Sequence, residues 1–310
     1  MVKGPGIMTV SNPSMQRTTL PVRLLRQRLL SLLDALPAAA SGDVTSVHRA
    51  RVASRRLREV LPVLAEAAGA EALDRAGKQV RRITRALGPI RELDVAMGHL
   101  AEMAPRAGIS ELATARVRAY LSDERQIHRR AMLDVITPAV VARLHTQLHD
   151  PPSHRHRLPH HEGERRSARR RSAQRAIRLR LEVRRTGALY DSERLHAVRV
   201  ATKKLRYALE VERELSNSRA MARINRLKGL QDALGEIHDY EILMERTRQV
   251  QTELAGSDRT MATELGALVR TLEDACRDGH AAFLRDRHTL LALCNSVITA
   301  ARDGRPTFTM

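Results

Sequence analysis

Two eleven-residue blocks carry the side chains best suited to chemistry in this chain. His48-Arg-Ala-Arg-Val-Ala-Ser-Arg-Arg-Leu-Arg58 is repeated as His196-Ala-Val-Arg-Val-Ala-Thr-Lys-Lys-Leu-Arg206, at an offset of 148 positions. Six positions are identical and three more are Ser/Thr or Arg/Lys exchanges. At about 100° per residue, His48, Arg51, Arg55 and Arg58 fall on one helical stripe, opposite Ala50, Ala53, Leu57, Val60, Leu61 and Leu64. His196, Arg199, Lys203 and Arg206 form the matching stripe, opposite Val198, Ala201, Leu205 and Leu209. Arg56 and Lys204 complete the paired cations of each block, and neither block contains an acid. Like charges four residues apart destabilise a helix by about 0.2–0.5 kcal/mol per pair. Carrying that cost twice, with a His at the same place, points to a bound anion that offsets it. The chemistry on offer is cationic hydrogen-bond donation. Arg presents a planar fork to neighbouring phosphate oxygens, and a protonated His donates from both ring nitrogens.

A second element repeats in the same order. Leu87-Gly-Pro-Ile-Arg-Glu-Leu-Asp94 matches Leu234-Gly-Glu-Ile-His-Asp-Tyr-Glu241, at an offset of 147. It adds Arg91 and His238, and the turns before it add Arg81, Arg85 and Lys228, with Lys228 at the place of Arg81. Gly88 and Gly235 fit either a close packing point between helices, which is the expectation, or a backbone approached by ligand. His196 with His238-Asp239 also admits a metal-dependent phosphohydrolase. The dipeptide is more simply the counterpart of Arg91-Glu92, and no further ligand cluster surrounds it. The expectation is therefore no catalysis, no metal and no cofactor.

The elements that must position these residues are helical throughout. Apolar residues recur at three- and four-residue spacing among good helix formers, and no alternating strand is found. Gly, Pro and Ser punctuation divides the chain into eight expected helices, near 18–36, 44–68, 71–104, 110–149, 164–186, 192–215, 218–255 and 260–303. Asp43 and Asp191 stand as caps before the two repeated blocks. The repeat divides the chain into halves at 18–150 and 164–303, joined by a linker at 151–163 and flanked by tails at 1–17 and 304–310. Within the linker, His154-Arg-His-Arg-Leu-Pro-His-His161 lacks a fixed ligand spacing, so a solvated connection is expected rather than a metal site.

Composition sets the outer bounds. The 310 residues hold 54 Lys+Arg against 35 Asp+Glu, a net charge of +19, which calls for a polyanionic partner. Residues 151–187 alone are net +9, whereas 188–310 are net +1, so the second block is a basic patch in a nearly neutral half. No stretch approaches the roughly 18 uninterrupted apolar residues of a membrane helix, and the basic 164–186 helix lacks Trp and Phe for insertion. No membrane partner is expected. Cys276 and Cys294 read as reduced buried thiols, and the absence of a signal pattern places the expectation in the cytoplasm.

At the two blocks and the two Leu-Gly-x-x-Arg/His-Glu/Asp elements the sequence resembles the CHAD family, the conserved histidine α-helical domain. The resemblance covers about residues 18–303. It implies an all-α fold of two four-helix bundles related by a pseudo-twofold axis around a basic central cavity. It also implies binding of inorganic polyphosphate and, in some members, association with polyphosphate granules. Carried over by motif, the polyphosphate-binding positions are His48, Arg51, Arg55, Arg58, Arg81 and Arg91, with His196, Arg199, Lys203, Arg206, Lys228 and His238; Arg56, Arg85 and Lys204 extend the set. Many relatives carry an N-terminal CYTH triphosphatase domain. No Glu-x-Glu-x-Lys motif occurs here, so a stand-alone CHAD domain without triphosphate hydrolysis is expected.

The alternative is non-specific nucleic-acid binding through the arginines of 165–185. Single-strand binders stack bases on aromatics, and this chain has four Tyr, two Phe and no Trp. Polyphosphate offers charge without bases and requires none. Charge reversal of both Arg55 and Lys203 is expected to abolish retention on immobilised polyphosphate while circular dichroism keeps full helicity. Wild-type retention in that double variant would place the site elsewhere.

Overall fold

The computed structural model describes residues 20–68, 71–149, 161–216 and 220–303. The expected tails at 1–17 and 304–310, and the His/Arg segment before His161, lie outside them. Among the described residues the chain forms nine helices and no strand. They are α1 (Leu20–Ser41), α2 (Val44–Ala68), α3 (Glu71–Ala107), α4 (Glu111–Val135), α5 (Pro138–His149), α6 (His161–Arg185), α7 (Ser192–Ser216), α8 (Met221–Leu254) and α9 (Arg259–Asp303). None is long and apolar enough to cross a membrane.

Helix ends follow local chemistry. Gly42 and Gly108 adopt φ of 99° and 66°, a left-handed conformation that a Cβ would penalise. Each closes a Schellman turn. Asp43 N–H donates to Ala38 O at 3.0 Å and Gly42 N–H to Ala39 O at 3.1 Å; Ile109 and Gly108 do the same to Ala104 and Pro105 at 3.3 and 3.2 Å. α1 therefore runs through Pro37 to Ser41 instead of ending at 36, because the glycine sets the stop. The expected helix at 110–149 is two helices. Pro138 lacks an N–H and disfavours a helical Thr137, so α4 ends before it and Pro138 opens α5. α9 contains no proline and runs unbroken for 45 residues. α6 begins at His161, three residues before its expected start. Both expected caps form: the Asp43 carboxylate accepts from Ser46 N–H at 2.7 Å and Asp191 from Arg194 N–H at 3.0 Å.

Two apolar cores result. The first gathers Leu25, Leu29 and Leu32 of α1, Leu57, Leu61 and Leu64 of α2, Ile83 and Leu87 of α3, and Leu144 and Leu148 of α5. The second gathers Leu179 of α6, Val198 and Leu205 of α7, Leu227 and Leu243 of α8, and Leu265, Leu268 and Leu272 of α9. Neither core is confined to one half of the chain. α3 contributes to the first core as far as Ile90 and to the second from Leu93 to Ala104; α4 gives Val117 and Leu121 to the second and Met132 to the first. This exchange lays α2 and α3 directly against α7 and α8. Cys276 and Cys294 are buried free thiols, and burial pushes them up to about 11 and about 12.

α8 and α9 approach closely at Gly279. A Cβ on Gly279 would sit 2.6 Å from Ile237 Cγ1. Alanine gains about 1 kcal/mol over glycine inside a helix, but overpacking a filled core costs about 1–3 kcal/mol. Gly279→Ala is expected to destabilise the fold by about 1–2 kcal/mol net in urea titration. Gly98→Ala on α3, where a Cβ meets nothing within 4 Å, is expected to stabilise it by up to about 1 kcal/mol.

Candidate functional site

The seam between α2, α3, α7 and α8 holds a cavity of about 560 Å³ in which both repeated elements meet. His48 and Arg51 enter from α2, Arg91, Glu92 and His99 from α3, Arg199 and Lys203 from α7, and Gln231, Gly235, Glu236 and Asp239 from α8. The two copies use the same device there. Arg51 Nη2 donates to Glu92 Oε1 at 2.8 Å, and Arg199 Nη2 lies 3.5 Å from Asp239 Oδ1. In each, the arginine of the eleven-residue block is held by the acid that closes the Leu-Gly element. Arg199 is only 6% exposed. The Nε atoms of Arg51 and Arg199 are buried and find no acceptor among the described residues. A buried donor left unpaired costs about 1–3 kcal/mol, so each arginine carries an unmet donor beside the cavity.

Burial and mutual repulsion set the protonation of this cluster. Burial, then Arg55 and Arg199, lowers Arg51 to about 10 against the pull of Glu92. Burial also lowers Arg199, with Asp239 opposing and Arg55 adding to it. Lys203 is pushed down to about 6 by burial and by Arg199, Arg55 and Arg51. It makes no hydrogen bond or ion pair among the described residues. Its amine therefore holds a proton less tightly than an ordinary lysine, with Asp239 opposing the shift. A guanidinium keeps its proton where an ammonium gives it up. Burial, Arg91 and Arg51 hold His48 below the usual histidine value.

The other expected residues divide into four groups. Arg58, lowered by burial, feels Arg55 and the exposed Arg81 and Arg85. Lys204, also lowered by burial, feels Arg175, Arg58 and Arg178. Buried Glu59 of α2 accepts from Arg171 at 2.8 Å and Arg175 at 3.2 Å, so cations of α2, α3, α6 and α7 continue from Arg55 away from the cavity. Arg56 and Arg206 do not line the cavity. Both bind Glu210, at 3.1 and 3.7 Å, and Arg56 faces a separate cavity of about 610 Å³ beside Arg28 and Glu214. His196 and His238 face each other, Nδ1 to Nδ1 at 3.4 Å, in a third cavity of about 490 Å³ with Glu241. Burial and His238 hold His196 below its usual value. Lys228 is exposed and lines none of these cavities. Among the described residues no three His, Cys, Asp or Glu side chains are placed to hold a metal ion.

Three features were not foreseen. The stripes lack acids only within their own blocks; Glu92, Asp239, Glu210 and Glu59 reach them from elsewhere. Glu92 and Asp239 were visible as the acid that follows Arg91 and His238 in the two copies of the second element. His99 lies seven residues after Glu92, on the same face of α3, where continued periodicity would have marked it. The glycines are not packing points. A Cβ on Gly235 meets nothing within 4 Å, and on Gly88 it meets only the Arg51 guanidinium at 3.9 Å. Both helices turn these positions toward the cations instead of toward a packed neighbour.

Residues 23–248 match the model of a family described as the CHAD domain. The crystal structure of the CHAD domain from the plant Ricinus communis is similar with a TM-score of 0.60 at 21% identity, over 93% of this chain and 91% of that one. PptA from Streptomyces chartreusis is similar with a TM-score of 0.56 at 15% identity, over 92% of this chain and 98% of that one. At these identities the likeness to the two structures carries the fold. No curated protein matches the sequence.

Lys203→Met is expected to stabilise the unliganded chain, raising the thermal midpoint at pH 7 by about 2–4 °C. The sign follows from a folded-state value near 6, below the ordinary 10.5. The unfolded chain binds the extra proton, so the wild-type fold loses stability as pH falls from about 10 toward 6. The advantage of Met should therefore shrink when the melts are repeated at pH 9.5.

Proposed function

This chain belongs to the CHAD domain family, and from that premise we propose that it binds inorganic polyphosphate in the cavity between α2, α3, α7 and α8. The observation that carries the reading is the convergence of Arg51 and Arg199, one from each repeat, with Arg91, His48 and Lys203 on one cavity wall. Polyphosphate supplies oxygens at regular intervals and no bases. Glu92 and Asp239 orient the two guanidiniums, Glu236 is engaged by Tyr240, and Asp232 is the remaining acid on the wall; Arg91 and the protonatable His48 and Lys203 face the same space. The cations around Arg58, Lys204, Arg175 and Arg178 would meet a chain longer than the cavity. We read the activity as binding and not catalysis: Arg199 engages Asp239, and His238 faces His196 and Glu241. Residence on polyphosphate granules in the cytoplasm would follow from such binding.

Polyphosphate affinity is expected to fall steeply with salt, because binding releases counterions. tRNA or DNA at equal phosphate concentration should not displace it; displacement would favour the non-specific nucleic-acid reading, with the exposed arginines of α6 as its surface. A polyanion in the cavity should return a proton to Lys203. Calorimetry at pH 7.5 in buffers of different ionisation enthalpy should then report uptake of about one proton per site, and Lys203→Arg should bind without it. Because burial, Arg91 and Arg51 hold His48 below the usual histidine value, the further gain in affinity from its protonation should come at lower pH than for an ordinary histidine.

A further inference from the structure

We propose that Lys203 is a modification site, acylated at Nζ by small acyl phosphates whose phosphate group is held by Arg51 and Arg199. The inference rests on the cations of the cavity and not on which polyanion occupies it. Three observations carry it. Lys203 shares the 560 Å³ cavity with both arginines, a space of the size that takes small ligands. Among the described residues no acid or carbonyl accepts from its amine, and no guanidinium donates to it, so its nitrogen lone pair is not engaged. That amine also remains in contact with solvent, because it is absent from the buried unpaired atoms while Arg51 Nε and Arg199 Nε are among them. An amine crowded by guanidiniums and half-buried is activated in the way known for nucleophilic lysines beside other cations, in keeping with its value near 6.

The step balances without an oxidant or reductant. The neutral Nζ attacks the acyl carbon and forms the amide C–N bond. The bond from that carbon to the phosphate oxygen breaks, and the departing phosphate takes up the displaced amine proton. Arg51 and Arg199 gather the phosphate charge that develops on the leaving group. The product amide can no longer take up a proton, so acylation would remove the chargeable group at the centre of the cluster.

The sequence makes the test clean, since the chain has only five lysines, at 3, 78, 203, 204 and 228. The whole protein is incubated with acetyl phosphate at pH 7.5, and acetylation is followed site by site by peptide mass spectrometry. Relative to the exposed Lys78 and Lys228, deprotonation of Lys203 should gain about a thousandfold and its lower basicity lose about a hundredfold, leaving about tenfold. Holding the donor should add at least another tenfold or so. The expected preference for Lys203 is thus about a hundredfold with acetyl phosphate and about tenfold with N-acetoxysuccinimide, which carries no phosphate. Between pH 7 and 9 the rate at Lys203 should stay flat, while those at Lys78 and Lys228 rise about tenfold per unit. Equal rates at Lys203 and the exposed lysines would overturn the inference. So would a preference no greater with acetyl phosphate than with the neutral donor.

Discussion

Two arginines that cannot leave each other's field organise this molecule. Arg51 and Arg199 come from opposite halves of the chain, are both removed from water, and still carry charge. Bringing like charges together in a partly dry seam is unfavourable unless each is held by an acid. Glu92 and Asp239 meet that requirement from the neighbouring helices, and each pair crosses between two elements of its own half. The repeat thus conserves a charge pair, where the sequence displays a basic stripe. The position of α2 on α3 and of α7 on α8 is tied to keeping those carboxylates within reach.

The same seam treats its cations unequally, and the difference is chemical. A guanidinium spreads its charge and resists deprotonation, so Arg51 falls only to about 10. An ammonium in the same field gives up its proton, so Lys203 falls to about 6. The Arg/Lys exchange between the copies, Arg55 in one and Lys203 in the other, therefore installs a titratable group where the first half has a permanent one. Ion pairs between the halves lie outside the cavity, among them Arg56 to Glu210, Arg28 to Glu214, and Glu59 to Arg171 and Arg175. They consume cations that the linear sequence presents as available.

Much of the fold was legible because its determinants are local. The all-helical class follows from periodicity, the caps from Asp43 and Asp191, and two of the stops from Gly42 and Gly108. Where expectation and structure part, a local signal was ranked wrongly. Pro37 was given the stop that Gly42 sets, and Pro138 was passed over although its missing N–H splits α4 from α5. Of the candidate site, His48, Arg51, Arg91, Arg199 and Lys203 converge on one cavity, while Arg56, Arg206, His196, His238 and Lys228 do not line it. Helical spacing puts His48 with Arg51, and His196 with Arg199, Lys203 and Arg206, on one stripe each; it cannot say which neighbour a face meets.

What the sequence determined by itself was the helical fold, the internal repeat and a charge of +19 that needs a polyanion. Each is a property of composition, spacing or turn chemistry, and none requires knowing what lies across the chain. Tertiary structure decided which cations are paired, which are buried and which lose their protons. Those outcomes depend on burial and on charges forty or more residues away, brought within a few ångströms by the exchange of α3 and α4 between two cores. Lys203 is the plainest case. Its own sequence neighbourhood marks it as one more cation, and burial first, then Arg199 of its own block with Arg55 and Arg51 from the other half, pushes its value down.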